Sequence, residues 1–355
     1  MKHDLLFKLL NTVSVSGNEE ENQRHAAEYM KGFADRIVTD PTGNVTGIIN
    51  PDKEFSVMIT GHMDEIGFRI THITDEGLIR VRKAGGVQAK LYIGSPMQII
   101  HSEVTEEGIV YHKVNGVGVI TDDLMKKEKA SDTDLLIDIG AVTKEEAEKA
   151  VSPGDSVCAD TQCRTLLNDC ISSRALDDKA GAYVILRAAE KAAAAGPAVR
   201  IMANTAVGEE TTGRGAYFAA ARLKPDCAVA VDVTWASDCP GTDPGETGKV
   251  KLGGGPVLCL SGMVNKKMNR LLEETARELQ IPVQYEVASG STYTDGDVIM
   301  KAAEGIPMAL VSIPVRYMHS SVEVVSLKDI EYCIELLSGF LLRIDETFSF
   351  NPLMI

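Results

Sequence analysis

Hydrophobic and polar positions alternate along this chain in two rhythms. At the N-terminus, MKHDLLFKLLNTVSVSG sets Asp4 and Lys8 inside a short apolar stretch, which suits an amphipathic first helix and breaks the core a signal peptide would need. The run NEEENQRHAAEYMKGFAD, from Asn18 to about Asp35, opens on cap-type and acidic residues and predicts a helix. A glycine turn, DPTGN, leads to the strand-like GIIN and then FSVMIT, an apolar run of the kind found in buried parallel strands.

From about residue 71 to 163 the chain breaks into short β-prone runs separated by glycines and charged turns, the pattern of a small β domain. One helix is expected inside it, at TKEEAEKAV, where Thr143 and Glu146 have capping-box spacing. After about 164 helices and strands alternate. The helix DKAGAYVILRAAEKAAAA ends at Gly196-Pro197, and the strand VRIMANTAV, a helix near GAYFAAARL and the strand DCAVAVDVT follow. Then come a helix over NKKMNRLLEETARELQ, the strand VQYEVA, a helix near DGDVIMKAAE, the strand MALVSIPV and a long helix from about Leu327. This βαβ rhythm predicts an α/β fold with a mainly parallel central sheet flanked by helices. Residues 1–70 and 164–355 would form one such domain, and 71–163 a small β-rich, barrel- or PDZ-like insert.

Composition narrows the function classes. Hydrophobic residues at 44% and charged residues at 25% are those of ordinary globular proteins. The net charge of −15 repels phosphate backbones and anionic lipid, so neither nucleic acid nor a membrane is an expected partner. No apolar run is long enough to span a bilayer. The 7 cysteines are odd in number and form no CxxC pair, which points to a reducing, cytoplasmic setting and away from a thiolate metal site.

Five short motifs carry candidate chemistry. In GHMDEIGF, His62 and Asp64 sit two apart after a buried strand, an arrangement in which a carboxylate orients a metal-binding imidazole. In ALDDKAG, Asp177 and Asp178 precede a helix; one can cap it, a reading that suits Asp178, and a carboxylate there can also bridge two cations. AVGEETTGRGA brings Glu209 and Glu210 together after a strand, where two carboxylates repel unless cations or protons compensate. DCAVAVDVT delivers Asp232 to the end of an apolar strand, where open α/β sheets place ligands. IPVRYMHSSVE places His319 beyond another apolar strand, where it is either a ligand or a satisfied surface group.

All five lie where they can converge on one edge of one sheet. Histidines and carboxylates without thiolates suit zinc, cobalt or manganese. Asp177, Glu210 and Asp232 set three negative charges against the four positive of two divalent ions, which leaves Glu209 free to act as general base.

Together, GHMDEIGF, ALDDKAG, GEETTGRGA, AVDVT and IPVRYMHS resemble the M42 family of dinuclear metallo-aminopeptidases, over nearly the whole chain. The resemblance implies that His62 and Asp232 hold one ion, Glu210 and His319 the other, and that Asp177 bridges them. It implies that Asp64 steadies His62 and that Glu209 passes a proton from water to the leaving amine. It also implies peptide substrates with free N-termini, two divalent ions per subunit, and a homo-oligomer, a dodecamer built from dimers in which the β insert serves assembly. Two departures stand out. GSTYTDGD, residues 290–297, replaces the usual Gly-Gly-Thr-Asp-Ala in a loop placed to affect substrate preference, and no proline precedes the N-terminal Ser-Gly. The alternatives are a related metal-dependent deacylase or dipeptidase, or a non-catalytic metal-bound assembly protein.

Overall fold

The computed structural model describes residues 3–106, 108–120 and 134–353. In chain order its strands are β1 (Arg36–Thr39), β2 (Val45–Ile49), β3 (Ser56–His62), β4 (Gly67–Ile73), β5 (Ile79–Ala84), β6 (Pro96–Thr105), β7 (Gly108–Val119), β8 (Leu136–Asp138), β9 (Ser156–Ala159), β10 (Arg164–Thr165), β11 (Cys170–Ser173), β12 (Arg200–Ala206), β13 (Cys227–Trp235), β14 (Val257–Ser261), β15 (Gln284–Ala288), β16 (Met308–Val315) and β17 (Glu323–Ser326). Eight of them form one sheet in the order β1-β2-β12-β3-β13-β16-β14-β15, and β4 to β9 close a six-stranded barrel inserted between β3 and the rest of that sheet.

The centre of the sheet, β12-β3-β13-β16, is parallel, with Ala206 beside His62 and Asp232 beside Ser312. These strands are buried along almost their whole length because helices cover both faces. Alternate residues of β3 divide accordingly. Val57 and Ile59 join the large core under the helices Leu176–Ala195 and Leu327–Arg343, while Met58 joins a smaller core against Ala216, Ala220 and Ile299. At Gly61 a β-carbon would stand 2.8 Å from the backbone nitrogen of Ala182, so only glycine lets the end of β3 approach the helix Leu176–Ala195 this closely.

In the barrel, Ile79 and Val81 point inward and Arg80 and Arg82 outward, the period-two pattern of a sheet with one wet face. Its core is a separate cluster built on Phe68, Ile99, Ile137 and Val157.

Several elements differ in extent from their sequence patterns. The helix expected from Asn18 to about Asp35 spans only Glu20–Met30. Asn18 is taken up by a hydrogen bond from Arg69, and Glu19 accepts the backbone N–H groups of Gly17 and Gly208. The helix near DGDVIMKAAE is a single turn, Gly296–Ile299, and the chain then leaves helical geometry, with Ala303 at φ +50° and Gly305 at φ +94°. At Thr143 the hydroxyl caps the N–H of Glu146 as its spacing predicts, whereas the Glu146 carboxylate returns to Val142 rather than to Thr143. Strand β14 and the small sheet β10-β11-β17 lack any strong sequence pattern of their own. All seven cysteines are free thiols. Among the described residues no helix is long and apolar enough to cross a membrane.

Candidate metal centre

The carboxyl ends of the four central parallel strands bring the candidate residues together. His62 is the last residue of β3, and Asp232 lies in β13. Glu209 and Glu210 open a one-turn helix, Glu209–Thr212, reached from β12 and framed by Gly208 and Gly213, both at positive φ. His319, at φ +61°, follows β16. Asp177 and Asp178 sit at the start of the helix Leu176–Ala195 in non-helical backbone, which turns the Asp177 side chain toward the strand ends.

Asp177 stands between the two histidines. Its Oδ1 is 3.3 Å from His62 Nε2 and its Oδ2 is 3.2 Å from His319 Nε2. Two groups of ligand atoms form around it, each within 4.8 Å: His62, Asp177 and Asp232, and Asp177, Glu210 and His319. The remaining carboxylate, Glu209, has its Oε2 3.8 Å from His62 Nε2.

The backbone around these groups is fixed by three further carboxylates. Asp64 lies 3.3 Å from His62 Nδ1 and accepts the N–H groups of Glu209 at 3.0 Å and Glu210 at 3.1 Å. Asp178 accepts the N–H of His62 at 3.1 Å and that of Gly181 at 3.0 Å, so it both caps the helix and steadies the end of β3. Glu323 accepts the N–H groups of Asp177 and His319, each at 3.0 Å.

The electrostatics fit a cation pair. Burial pushes the Asp232 carboxyl well above the ordinary range, with the charge of Asp178 adding to it, and burial together with Asp177 does the same to Glu210. Although burial opposes ionisation of Asp177 as well, hydrogen bonds with His319 and His62 hold it low. Glu210 Oε1 is buried and has no hydrogen-bond partner. A buried carboxylate oxygen without a donor is costly, and a cation at each three-residue group would satisfy it. Mixed nitrogen and oxygen donors with one shared carboxylate are the ligand chemistry of zinc and neighbouring divalent metals.

A cavity of about 740 Å³ opens over these residues. Thr292, Tyr293, Thr294 and Asp297, from the 290–297 segment, line one part of it. The barrel domain also reaches it. Gly86, just past β5, packs so tightly on His319 that a β-carbon there would stand 2.3 Å from the imidazole Nδ1.

The structure brings all seven sequence-derived candidates, His62, Asp64, Asp177, Glu209, Glu210, Asp232 and His319, into this one centre. Asp178 caps the helix through Gly181 as its position in the sequence suggests, and the structure adds its bond to His62 together with Glu323 and Gly86, whose parts depend on partners distant in sequence. It also adds a buried ion cluster beneath the site. Glu65 accepts from Arg174 and from Lys179, the latter at 2.9 Å, and Lys179 also donates to the carbonyl of Thr12 at 2.7 Å.

A mainly parallel α/β domain with this cluster at its strand ends, and a β-barrel inserted after the strand that supplies the first histidine, is the fold of the TET peptidases. The chain belongs to the M42 family: the family model described as M42 glutamyl aminopeptidase matches residues 43–336. It is 31% identical over 347 residues to the lysyl aminopeptidase of Pyrococcus furiosus, covering 95% of this chain and 96% of that protein. It is similar to the crystal structure of a TET aminopeptidase from a marine sediment Thaumarchaeota archaeon, with a TM-score of 0.88 and 30% identity over 97% of this chain and 96% of that one. It is also similar to the Pyrococcus horikoshii TET1 peptidase, which can assemble into a tetrahedron or a large octahedral shell, with a TM-score of 0.83 and 30% identity over 97% and 100% of the two chains. The protein is thus an aminopeptidase, a hydrolase of a family that uses divalent metals.

Proposed function

We propose that this aminopeptidase removes residues from the free N-termini of peptides at a dinuclear centre, with His62 and Asp232 holding one ion, Glu210 and His319 the other, and Asp177 bridging them. The observation that carries this reading is the position of Asp177, one oxygen 3.3 Å from His62 and the other 3.2 Å from His319. Zinc or cobalt suits the donors best, with manganese a third candidate. When bound, such ions supply Lewis acidity toward a carbonyl and acidify water.

The protein's own groups do the rest. Glu209 is next to the ligand set without belonging to it, and burial pushes its carboxyl up to about 7 against the attraction of His62. It takes a proton from the attacking water at its carboxylate and returns it to the leaving amine. Asp64 holds the Glu209 backbone and orients His62, and Glu323 sets the backbone of both Asp177 and His319.

In the same reading, residues 1–70 and 164–355 form the catalytic domain and 71–163 an insert that serves assembly into a dodecamer. The tetrahedron into which the Pyrococcus horikoshii TET1 peptidase can assemble, and the dodecamer seen in another solved TET1 structure, support an assembly of that kind. A cytoplasmic location agrees with the seven free thiols.

Metal analysis tests the centre. The protein, loaded and desalted, should carry two ions per subunit, and Asp177→Ala should carry none or one. Two ions retained by Asp177→Ala would contradict the bridging role.

A further inference from the structure

The cavity wall holds two carboxylates, Glu286 and Asp297, that neither the ligand set nor the proton transfers use. Glu286, on edge strand β15, reaches across the sheet face. Its Oε1 accepts the Ser312 hydroxyl at 2.9 Å, and its Oε2 accepts the hydroxyl of Thr234. Ser312 lies directly opposite Asp232 on the neighbouring strand, and Thr234 is two residues beyond Asp232. Residues two apart on a strand share a face and lie about 7 Å from each other. The Glu286 carboxylate is therefore held roughly one side-chain step from a proposed metal ligand.

Its two partners are neutral donors, and a carboxylate offers about four acceptor sites, so half of them stay available. Among the described residues no lysine or arginine lines this cavity. By contrast Asp297, another carboxylate of the wall, is occupied by the 292–293 turn, accepting the N–H groups of Thr292 and Tyr293 and the Thr292 hydroxyl. Leu310, two residues before Ser312 on β16, and Val287, next to Glu286 on β15, are among the apolar residues that line the cavity.

We propose that Glu286 makes this a site for peptides whose first residue is lysine or arginine. The proposal rests on the aminopeptidase reading above, with the scissile carbonyl at the strand ends. A lysine side chain is a point charge on a flexible four-carbon stem, and it would lay that stem along Leu310 and Val287 and bring its ammonium to Glu286. Arginine can meet the same carboxylate with its planar fork. An acidic first residue would meet repulsion, and an apolar one of equal length would leave the carboxylate without a cation. Burial raises the Glu286 carboxyl above its ordinary range, with the two hydroxyls pulling the other way. An arriving ammonium favours the ionised form.

The test uses metal-loaded protein and peptides that differ only in their first residue: lysine, norleucine, which has the same stem without the charge, and glutamate. Product is followed by mass. Lysine should exceed norleucine by about tenfold or more in kcat/KM, the scale of a charge-assisted hydrogen bond, with glutamate slowest. In Glu286→Gln the ratio of lysine to norleucine should fall at least severalfold toward one. A wild-type protein that cleaves norleucine as well as lysine overturns the proposal and leaves the aminopeptidase reading intact, as does a Glu286→Gln variant that keeps the full ratio. Failure to shorten any of the three peptides overturns the underlying reading instead, and the proposal with it.

Discussion

The side chain of Asp64 accepts the backbone N–H of Glu209 at 3.0 Å, so the acid that orients His62 also anchors the residue proposed as general base. Asp64 is fully buried. An asparagine of the same shape offers one acceptor oxygen where three donors now converge, leaving at least one buried N–H unsatisfied. Asp64→Asn should weaken metal affinity by about 10- to 100-fold, as loss of an orienting partner typically does. Competitive metal titration against a chelating dye measures this, and wild-type affinity in the variant would contradict the role.

Glu209 supplies proton transfer without holding an ion. Glu209→Gln should keep two ions per subunit while kcat falls by about 10²-fold or more. Steady-state kinetics beside elemental analysis of the same sample separates the two effects. Near-normal turnover would reassign the base.

Gly86 leaves no room for a side chain against His319. Gly86→Ala should displace the imidazole and weaken the ion held with Glu210, leaving the ion at His62 and Asp232 in place. Metal content near one per subunit at limiting metal is the expected result; an unchanged content of two would show that His319 can shift without loss.

Glu65 closes a buried ion cluster with Arg174 and Lys179. Removing its charge strands two buried cations, and Glu65→Gln should destabilise the protein by about 3–5 kcal/mol. Against burial, these two cations hold the Glu65 carboxyl down to about 2 from an ordinary 4.5. A lowered carboxylate stabilises the fold fully above 4.5 and loses that contribution as pH falls toward 2, and this interval is worth on the order of 3 kcal/mol. Urea unfolding at fixed protein concentration should therefore show the gap between wild type and variant narrowing from pH 6 to pH 3. A constant gap would contradict the linkage.

The sequence was most informative where a polar residue ends an apolar strand. His62 ends β3, Asp232 lies near the end of β13, and Glu209, Glu210 and His319 follow β12 and β16, because a parallel sheet buried on both faces leaves its strand ends open to a ligand. Residues whose partners are remote in sequence were not legible. Glu323 lies within IPVRYMHSSVE, yet its part depends on the N–H of Asp177, 146 positions away. Glu65, Arg174 and Lys179 read as ordinary charges until the helix Leu176–Ala195 is docked on β3. Glu286 occupies a polar slot in an edge strand, and only the reach of its side chain to Thr234 and Ser312 distinguishes it. The start of the helix Glu20–Met30 moved for the same reason, since Asn18 and Glu19 are drawn into bonds with the remote Arg69 and Gly208 as well as with Gly17.

The central claim is metal-dependent removal of single residues from free N-termini, and one comparison tests it most directly. Matched peptides with free and acetylated N-termini are incubated with metal-loaded protein and with a chelated control, and the products are weighed by mass spectrometry. Only the free peptide should shorten, one residue at a time, and only with metal present. Equal cleavage of both peptides, or cleavage that survives chelation, would contradict the account.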